Sequence, residues 1–116
     1  MYKITTKELL SKITMETNGK CSCKDNKTFI IDFYSTWCNP CKTQDIVLNE
    51  LSKETEDVEF YKVNVEEEYE LAELFNIRNL PTILICGKET KRFSGFTKKQ
   101  KLKDELKSIN SIINIL

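Results

Sequence analysis

The sequence predicts an α/β domain built on a mixed β-sheet with helices on both faces. Helical and strand-like patterns alternate along most of the chain, and such alternation is typical of α/β folds. Near the end, two consecutive strand patterns and a helix follow, and a hairpin of this kind adds antiparallel strands to a sheet. The chain has 116 residues, a length that suits a single domain over residues 1–116.

The N-terminal part is predicted to form a short helix and a loop. Thr6 is a suitable N-cap, and the apolar spacing after it predicts a helix over residues 6–15. Residues 17–27 are polar and contain Asn-Gly, which indicates a loop. The apolar positions of the helix are Leu9, Leu10 and Ile13.

Two strands and two helices are predicted next. Thr28–Tyr34 (TFIIDFY) is apolar on both faces and rich in β-formers, as expected for a strand covered on both sides. Residues 39–54 have helical spacing, and residues 58–65 (VEFYKVNV) form a second strand. Three glutamates at 66–68 open another helix, where negative charge suits the positive end of the helix dipole. The predicted apolar faces are Ile46, Val47, Leu48 and Leu51 in the first helix, and Leu71, Leu74 and Phe75 in the second.

The last third of the chain is predicted to form a hairpin and a final helix. Residues 79–81 (NLP) interrupt the helical pattern. Two strands follow, Thr82–Cys86 and Thr90–Ser94, joined by a tight turn at Gly87-Lys88. The motif Thr97-x-x-Gln100 matches a capping box that starts the last helix. The predicted apolar face of that helix is Leu102, Leu106, Ile109 and Ile113.

Composition excludes several classes of function. The formal net charge is +0, from 18 basic and 18 acidic residues, so no strong field attracts nucleic acid or an anionic membrane. No apolar run approaches the ~20 residues that span a bilayer. Residues 1–13 carry charges every few positions and have no signal-peptide core. We therefore expect a cytoplasmic protein, and nothing in the sequence indicates more than a monomer.

The cysteines are the chemically distinctive residues. There are five, and an odd, modest count argues against a secreted disulfide scaffold. The chain has no histidine, which removes Ser-His and Cys-His catalysis and every zinc site that needs an imidazole. The five are Cys21, Cys23, Cys38, Cys41 and Cys86.

Cys38 and Cys41 lie where a predicted strand meets a predicted helix. Residues three apart at a helix start share a face and can close a disulfide, and Pro40 suits the first helical turn. Free backbone N–H groups at that end favour a thiolate at Cys38, the species that attacks a disulfide, and Cys41 would then release the product. A zinc site shared with Cys21-x-Cys23 and a structural disulfide are the alternatives.

Two segments resemble the thioredoxin family. Residues 29–42 (FIIDFYSTWCNPCK) are similar to the family signature, an apolar strand carrying Asp followed by Trp-Cys-Gly-Pro-Cys-Lys. Residues 75–82 (FNIRNLPT) are similar to the family segment that ends in a cis-proline. Residues 62–64 and Gly95 also fall at matching places. The resemblance covers roughly residues 4–109 and implies the thioredoxin fold, a central mixed sheet flanked by helices on both faces.

The resemblance implies roles around the cysteine pair. Cys38 would be the nucleophile and Cys41 the resolving thiol. Asp32 lies in an apolar strand, where desolvation raises the pKa of a carboxyl, and it would act through a water as the base for Cys41. Lys62 would be its charge partner. The structural alternatives are a strand-end carboxylate that meets solvent for Asp32, and an exposed strand lysine for Lys62.

The resemblance also implies a substrate surface. Pro81 would be cis and would lie against the cysteine pair, where it keeps metal ions from the thiolates. A cis bond there presents the backbone of Leu80 for strand-like pairing with an extended substrate. Trp37 would contact partners rather than serve as a core aromatic, and Gly95 would leave room for a partner backbone or suit a strand end. The substrate contacts are thus expected from Trp37, Asn39, Pro40, Leu80 and Gly95.

The chain departs from the family pattern at its cysteines. Asn39 replaces the usual glycine between the active pair, and a polar group near the thiolate would make the protein somewhat more oxidising. Cys21 and Cys23 are compatible with a second redox pair, a metal site or two idle thiols, and we expect idle thiols. Cys86 is expected to be a small buried hydrophobe at a strand end.

The predicted function is that of a thioredoxin-type protein-disulfide reductase that cycles between a Cys38/Cys41 dithiol and disulfide and needs no bound cofactor. The resemblance implies that electrons come from a flavin-containing thioredoxin reductase fed by NADPH, and that the substrates are disulfides in other proteins. The alternatives are an oxidase or isomerase, a reductase dedicated to one partner, a non-catalytic adaptor of the same fold, and a zinc-binding module.

Overall fold

The computed structural model describes residues 1–15, 21–23 and 27–115, with side chains at 1–14, 21 and 27–109. Along the chain the elements are β1 (Tyr2–Lys3), α1 (Thr6–Leu10), β2 (Ile13–Met15), β3 (Cys21–Cys23), β4 (Thr28–Tyr34), α2 (Asn39–Glu54), β5 (Val58–Asn64), α3 (Tyr69–Leu74), β6 (Thr82–Cys86), β7 (Thr90–Ser94) and α4 (Lys99–Ile115).

The described residues form a mixed five-stranded sheet in the order β1-β5-β4-β6-β7. β5 runs parallel to both β1 and β4, whereas β6 runs antiparallel to β4 and to β7. β2 and β3 pair separately as a small antiparallel sheet. The mixed sheet and the C-terminal hairpin are therefore confirmed, and the carboxyl end of central strand β4 leads directly into the cysteine pair.

Both faces of the sheet are covered, as β4 shows. Phe29, Ile31 and Phe33 belong to the core cluster that α1 and α3 cover. Ile30 belongs to the cluster beneath α2 and α4, and Asp32, two residues later, points to that same face. Burial on both faces explains the continuous apolar run of this strand.

The first helix is shorter than predicted and starts differently. α1 ends at Leu10, and its N-cap is Thr5 rather than Thr6. The Thr5 hydroxyl accepts a hydrogen bond from the Glu8 backbone N–H, and the Glu8 carboxylate accepts one from the Thr5 N–H, both at 3.2 Å. The β-branched Ile13 then begins β2, because pairing with β3 competes with the helix.

Three short strands were absent from the prediction. β3 lies within the predicted loop at 17–27, and residues 17–20 and 24–26 of that loop lie outside the described residues. Strands of two or three residues are too short to show an alternating pattern. Long-range pairing, for example of Tyr2 with Tyr61, defines them instead.

The third helix starts at Tyr69, after the three glutamates that were predicted to open it. Those residues form a turn around Asn64, whose side-chain oxygen accepts a hydrogen bond from the Glu66 N–H at 2.9 Å. The carbonyl of Asn64 accepts another from the Glu68 N–H at 2.9 Å. This side chain–backbone turn competes with the helix for the same N–H groups. Leu74 was predicted in the core but is 46% exposed.

α2 has the predicted bounds, but part of its apolar stripe was wrong. Ile46 is 61% exposed, while Leu48 and Leu51 are fully buried as predicted. Cys41 and Gln44 complete the buried face of the helix. A predicted stripe that includes consecutive residues is wider than the face that the sheet covers.

The start of α4 also differs from the prediction. The Thr97 hydroxyl donates to the Gly95 carbonyl at 3.2 Å, and the Gln100 amide donates to Asp104 at 2.9 Å, so the predicted capping box does not form. Leu102, Leu106 and Ile109 are buried as predicted. The side chain of Ile113 lies outside the described residues. In the part of the chain that the structure describes, no helix is both long and apolar enough to cross a bilayer.

Candidate active site

The cysteine pair forms the first turn of α2. Cys38 is the N-cap, with extended backbone angles, and Pro40 occupies the first turn, where it loses no hydrogen bond. A disulfide joins Cys38 to Cys41, whose Cα atoms are 5.3 Å apart, within the usual range for such bonds. The backbone N–H of Cys41 donates to the Cys38 sulfur at 3.3 Å.

The two sulfurs lie just beneath the protein surface. Cys38 is 6% exposed and Cys41 is 3% exposed. Trp37, Asn39 and Pro40 are exposed around them. Cys38, at the helix end, is the more exposed of the two cysteines, and Cys41 lies one turn inward.

Asp32 is a buried carboxyl on the α2 side of β4. It is 1% exposed, and neither of its oxygens has a hydrogen-bond partner among the described residues. Burial, aided by the negative charge of Asp45, raises the pKa of Asp32 to about 7, while Lys62 acts in the opposite direction. The strand-end alternative, a carboxylate in contact with solvent, is therefore wrong.

Lys62 lies beside Asp32 but forms its ion pair elsewhere. The two residues are register partners on β4 and β5. The Lys62 ammonium is 3.7 Å from an Asp45 carboxylate oxygen and stands over the Tyr34 ring, 5.4 Å from its centroid. Lys62 therefore acts on Asp32 through its charge rather than through a salt bridge.

A pocket of about 290 Å³ lies between the Asp45–Lys62 ion pair and Cys41. Its wall includes Cys41, Asp45 and Lys62, together with Ser35. The Ser35 hydroxyl is buried and, like the Asp32 oxygens, has no hydrogen-bond partner among the described residues. Buried polar groups of this kind normally bind water when the site has room. The pocket offers a route for protons between Cys41 and the solvent.

Pro81 lies at the same end of the central strands as the cysteine pair. The Leu80–Pro81 bond is cis. Thr82, the next residue, is the register partner of Phe33 near the end of β4, which leads into Cys38. The Pro81 carbonyl accepts a hydrogen bond from the Gly95 N–H at 2.8 Å. No hydrogen bond within the described part of the chain uses the backbone of Leu80.

Gly95 has a backbone conformation that side chains disfavour. Its φ of +82° lies in the left-handed region, and a Cβ added there would meet no atom within 4 Å. The space that was predicted at Gly95 is therefore present, and the backbone angle also favours glycine.

Two exposed aromatic residues lie next to residues of the candidate site in the sequence, Trp37 before Cys38 and Phe96 after Gly95. Trp37 is 70% exposed, so it is not a core aromatic. Phe96, next to Gly95, is 45% exposed and was not singled out from the sequence. A second pocket of about 520 Å³ extends from Leu80 along α3, past Tyr69 and Ile77. The wall of this pocket combines these apolar side chains with the charged Glu73 and Arg78.

Two positioning residues of α2 were not predicted from the sequence. Asp45 has no distinguishing sequence signal, and only its contact with Lys62 shows its role. Gln44 is fully buried and binds the backbone of Thr97 twice, donating to its carbonyl at 3.0 Å and accepting from its N–H at 2.7 Å. A glutamine on an otherwise apolar helix face was the available signal.

The four-cysteine zinc alternative does not fit the structure. It requires Cys21 to meet Cys38 and Cys41. Cys21 instead lies against Cys86, which ends the strand that begins next to Pro81. The side chain of Cys23 lies outside the described residues.

Comparisons with known proteins agree with this geometry. The family profile described as Thioredoxin matches residues 11–108. The thioredoxin of Mycoplasmoides gallisepticum is 36% identical over 84 residues, covering 71% of this chain and 84% of the relative. The thioredoxin of Mycoplasma genitalium is 40% identical over 80 residues, covering 67% of this chain and 78% of the relative.

Solved structures extend the likeness to nearly the whole chain. Chloroplastic thioredoxin z superposes with a TM-score of 0.81 at 27% identity, over 96% of this chain and 95% of that chain. A mutant thioredoxin from Halobacterium salinarum superposes with a TM-score of 0.75 at 27% identity, over 94% of this chain and 88% of that chain.

Proposed function

This chain belongs to the thioredoxin family, has the thioredoxin fold and is a thioredoxin-type protein-disulfide reductase; from that premise we propose that it is a general reductase of protein disulfides. Its working couple is the Cys38/Cys41 dithiol and disulfide. The single observation that carries the proposal is the position of Cys38, the N-cap of α2, in a disulfide with Cys41 one turn inward.

The first step is attack by Cys38. In the reduced protein, the N–H groups of the first helical turn and the helix dipole stabilise a thiolate at this position, as the N–H of Cys41 aimed at the Cys38 sulfur indicates. The thiolate attacks one sulfur of a substrate disulfide. A mixed disulfide with Cys38 forms, and the other substrate sulfur leaves as a thiolate that takes up a proton.

The second step is resolution by Cys41. Asp32 accepts the proton of the Cys41 thiol through a water, and Cys41 then attacks the Cys38 sulfur. The Cys38–Cys41 disulfide forms, and the second substrate sulfur leaves as a thiol. Two electrons and two protons pass to the substrate. A pKa of about 7 suits Asp32 for this role, because it accepts and returns a proton near neutral pH.

Substrate binding combines backbone pairing with apolar contacts. The backbone of Leu80 is available for strand-like pairing, because no hydrogen bond among the described residues uses it. The N–H of Gly95 donates to the carbonyl of the next residue, Pro81. Trp37 and Phe96 offer exposed aromatic rings. Asn39 and Pro40, exposed between the cysteines, contact the substrate near the reacting sulfurs.

The cycle requires an electron donor. Members of this family are generally fed by thioredoxin reductase, and we propose that a flavin-containing enzyme of that kind, using NADPH, reduces Cys38–Cys41 here. A reducing compartment such as the cytoplasm suits the cycle, because the dithiol must be regenerated there.

Trapping tests the roles of the two cysteines. The variant Cys41→Ser should accumulate a mixed disulfide between Cys38 and a disulfide-containing protein such as insulin, detectable on non-reducing gels and by mass spectrometry. The matched variant Cys38→Ser should trap far less. Equal trapping by the two variants would contradict the assignment of Cys38 as nucleophile.

The equilibrium potential distinguishes a reductase from the alternatives. Equilibration of the Cys38/Cys41 couple with a dithiothreitol or glutathione buffer should give a value near about −270 mV, the general value for thioredoxin. A value near about −180 mV, that of protein disulfide isomerase, would favour an oxidase or isomerase. Asn39→Gly should lower the potential if the Asn39 amide stabilises the thiolate.

A further inference from the structure

A second pair of cysteines meets at the far end of β6 from Pro81. The sulfurs of Cys21 and Cys86 are 2.8 Å apart and are joined by a thiol hydrogen bond. The two residues are separated by 65 positions in the chain, and both are buried, with 4% and 0% exposure. Neither is in a disulfide in the structure.

Backbone contacts hold this pair together. Cys21 lies on β3, and Cys86 ends β6 opposite Thr90, the first residue of β7. The Thr90 hydroxyl donates to the Cys21 carbonyl and accepts from the Cys21 N–H, at 3.2 Å in the latter case. Thr90 thus holds the backbone of Cys21 beside the end of the hairpin, next to Cys86.

We propose that Cys21 and Cys86 form a second intramolecular disulfide, which fastens the small β2–β3 sheet to the central sheet when the protein meets peroxide. Sulfurs that are 2.8 Å apart need to move by less than about 1 Å to reach the S–S bond length of about 2.05 Å. This inference does not rest on the proposed reductase function.

The oxidation balances with hydrogen peroxide as the oxidant. The Cys21 sulfur attacks one peroxide oxygen, giving a sulfenic acid and releasing water after proton transfer. The Cys86 thiol then attacks the sulfenic sulfur, the S–S bond forms and a second water leaves. Two thiols lose two electrons and two protons, and peroxide gains them. The hydrogen bond from Cys86 lowers the pKa of Cys21, although burial opposes it, which suits Cys21 as the attacking group.

The second pair is separate from the active site. Pro81 and Cys86 bracket β6, so roughly 16 Å of strand separates the two ends. Direct exchange between Cys21–Cys86 and Cys38–Cys41 within one molecule is therefore excluded by distance. A disulfide between Cys21 and Cys23 is the local competitor, but a ring across one intervening residue is strained.

Counting thiols after oxidation tests the proposal. The full-length reduced protein is treated with hydrogen peroxide and unfolded in N-ethylmaleimide, and intact mass gives the number of labelled thiols. Of the five cysteines, four should be in two disulfides, leaving one labelled thiol. The variant Cys23→Ser retains both proposed partners and should leave none. In Cys86→Ser, the thiols of Cys21 and Cys23 should both be labelled.

The variant Cys23→Ser decides between the two pairings, because it removes the local competitor and retains both proposed partners. Two labelled thiols in this variant would mean that Cys21 and Cys86 do not join, and would overturn the proposal. Addition of oxygen to Cys21 in place of a disulfide would overturn it too. Peptide mapping of the oxidised variant should recover one cross-linked peptide that contains Cys21 and Cys86.

Thermal unfolding gives an independent readout. In the background Cys23→Ser, Cys38→Ser, Cys41→Ser, the proposed pair holds the two remaining cysteines, so only this pair can respond to peroxide by closing a long loop. Oxidation should raise the Tm of this variant by roughly 5–10 °C, because the cross-link restricts the unfolded chain. Adding Cys86→Ser should abolish the rise. An unchanged Tm in the parent background would contradict a cross-link between distant parts of the chain.

Discussion

Lys62 is the register partner of Asp32 on the neighbouring parallel strand, yet its ammonium forms its ion pair with Asp45, 3.7 Å away. The buried carboxyl therefore faces two opposite charges that partly neutralise each other. Burial is the main cause of its raised pKa, Asp45 adds to it, and Lys62 reduces it. Lys62, near the protein surface, thus lowers the pKa of the buried Asp32 carboxyl.

Removing either charge should shift the pKa of Asp32, in opposite directions. Lys62→Met removes the positive charge and should raise this pKa, whereas Asp45→Asn removes the negative charge, leaves Lys62 without its partner and should lower it. NMR titration of the Asp32 carboxyl in the oxidised protein measures both. Shifts in the same direction would show that altered packing, not charge, controls the group.

Asp32 should also make stability depend on pH. Its pKa rises from 3.8 in the unfolded chain to about 7 in the folded protein. Between these values the folded protein holds a proton that the unfolded chain has released. The stabilising contribution is therefore complete below pH 4 and is lost as the pH rises through 7. The loss should reach about 2–4 kcal/mol of unfolding free energy.

Urea unfolding of the oxidised protein between pH 4 and pH 9 measures this loss, and Asp32→Asn is the matched variant. The variant should lack this part of the pH dependence and should exceed the wild type in stability above pH 8. Because other ionisable groups are common to both proteins, the difference between the two curves isolates Asp32. Parallel curves would show that Asp32 titrates alike in the folded and unfolded states.

The same substitution should slow one chemical step. If Asp32 accepts the proton of Cys41, Asp32→Asn should slow resolution of the mixed disulfide at pH 7 by roughly 10- to 100-fold. The initial attack by Cys38 should keep its rate. A disulfide substrate releases one thiol in each step, so stopped-flow measurement of thiol release separates the two steps. Equal slowing of both steps would indicate a structural role for Asp32.

The central part of the site could be predicted because its signals are local. An apolar strand buried on both faces makes its single carboxyl, Asp32, stand out, and Pro40 between two cysteines identifies the helix start. The apolar run of Thr28–Tyr34 and the helical spacing of Asn39–Glu54 each extend over enough residues to define the element.

The remainder depends on contacts between distant residues. Cys21 and Cys86 were each interpreted alone, as an idle thiol and a small hydrophobe, because 65 residues separate them. Ile46 and Leu74 lie on faces that the sheet leaves open, and apolar spacing alone does not define the width of a buried face. The turn around Asn64 holds the three glutamates outside the helix, and helix propensity does not reveal such a turn.

Gly95 should tolerate asparagine better than alanine. Its positive φ disfavours any Cβ, so Gly95→Ala should lower the unfolding free energy by about 1–2 kcal/mol, although no atom within 4 Å would collide with the methyl group. Gly95→Asn should cost less, because asparagine enters this region more readily. Urea unfolding measures both, with the exposed Ser94→Ala as control. A loss in Ser94→Ala equal to that in Gly95→Ala would point to strand β7 rather than the backbone angle.

Gln44 should be a stability determinant of the substrate surface. Its side chain satisfies both the N–H and the carbonyl of Thr97, two residues after Gly95, in a fully buried position. Gln44→Ala leaves these two backbone groups without partners and should lower the unfolding free energy by about 2–4 kcal/mol. The neighbouring Thr43 is exposed, so Thr43→Ala tests for a general effect on α2 and should change stability by less than about 0.5 kcal/mol. Because the Thr97 segment carries Gly95 and Phe96, amide hydrogen exchange at Gly95 should also speed up in Gln44→Ala. Unchanged exchange with unchanged stability would mean that other contacts hold this segment against α2.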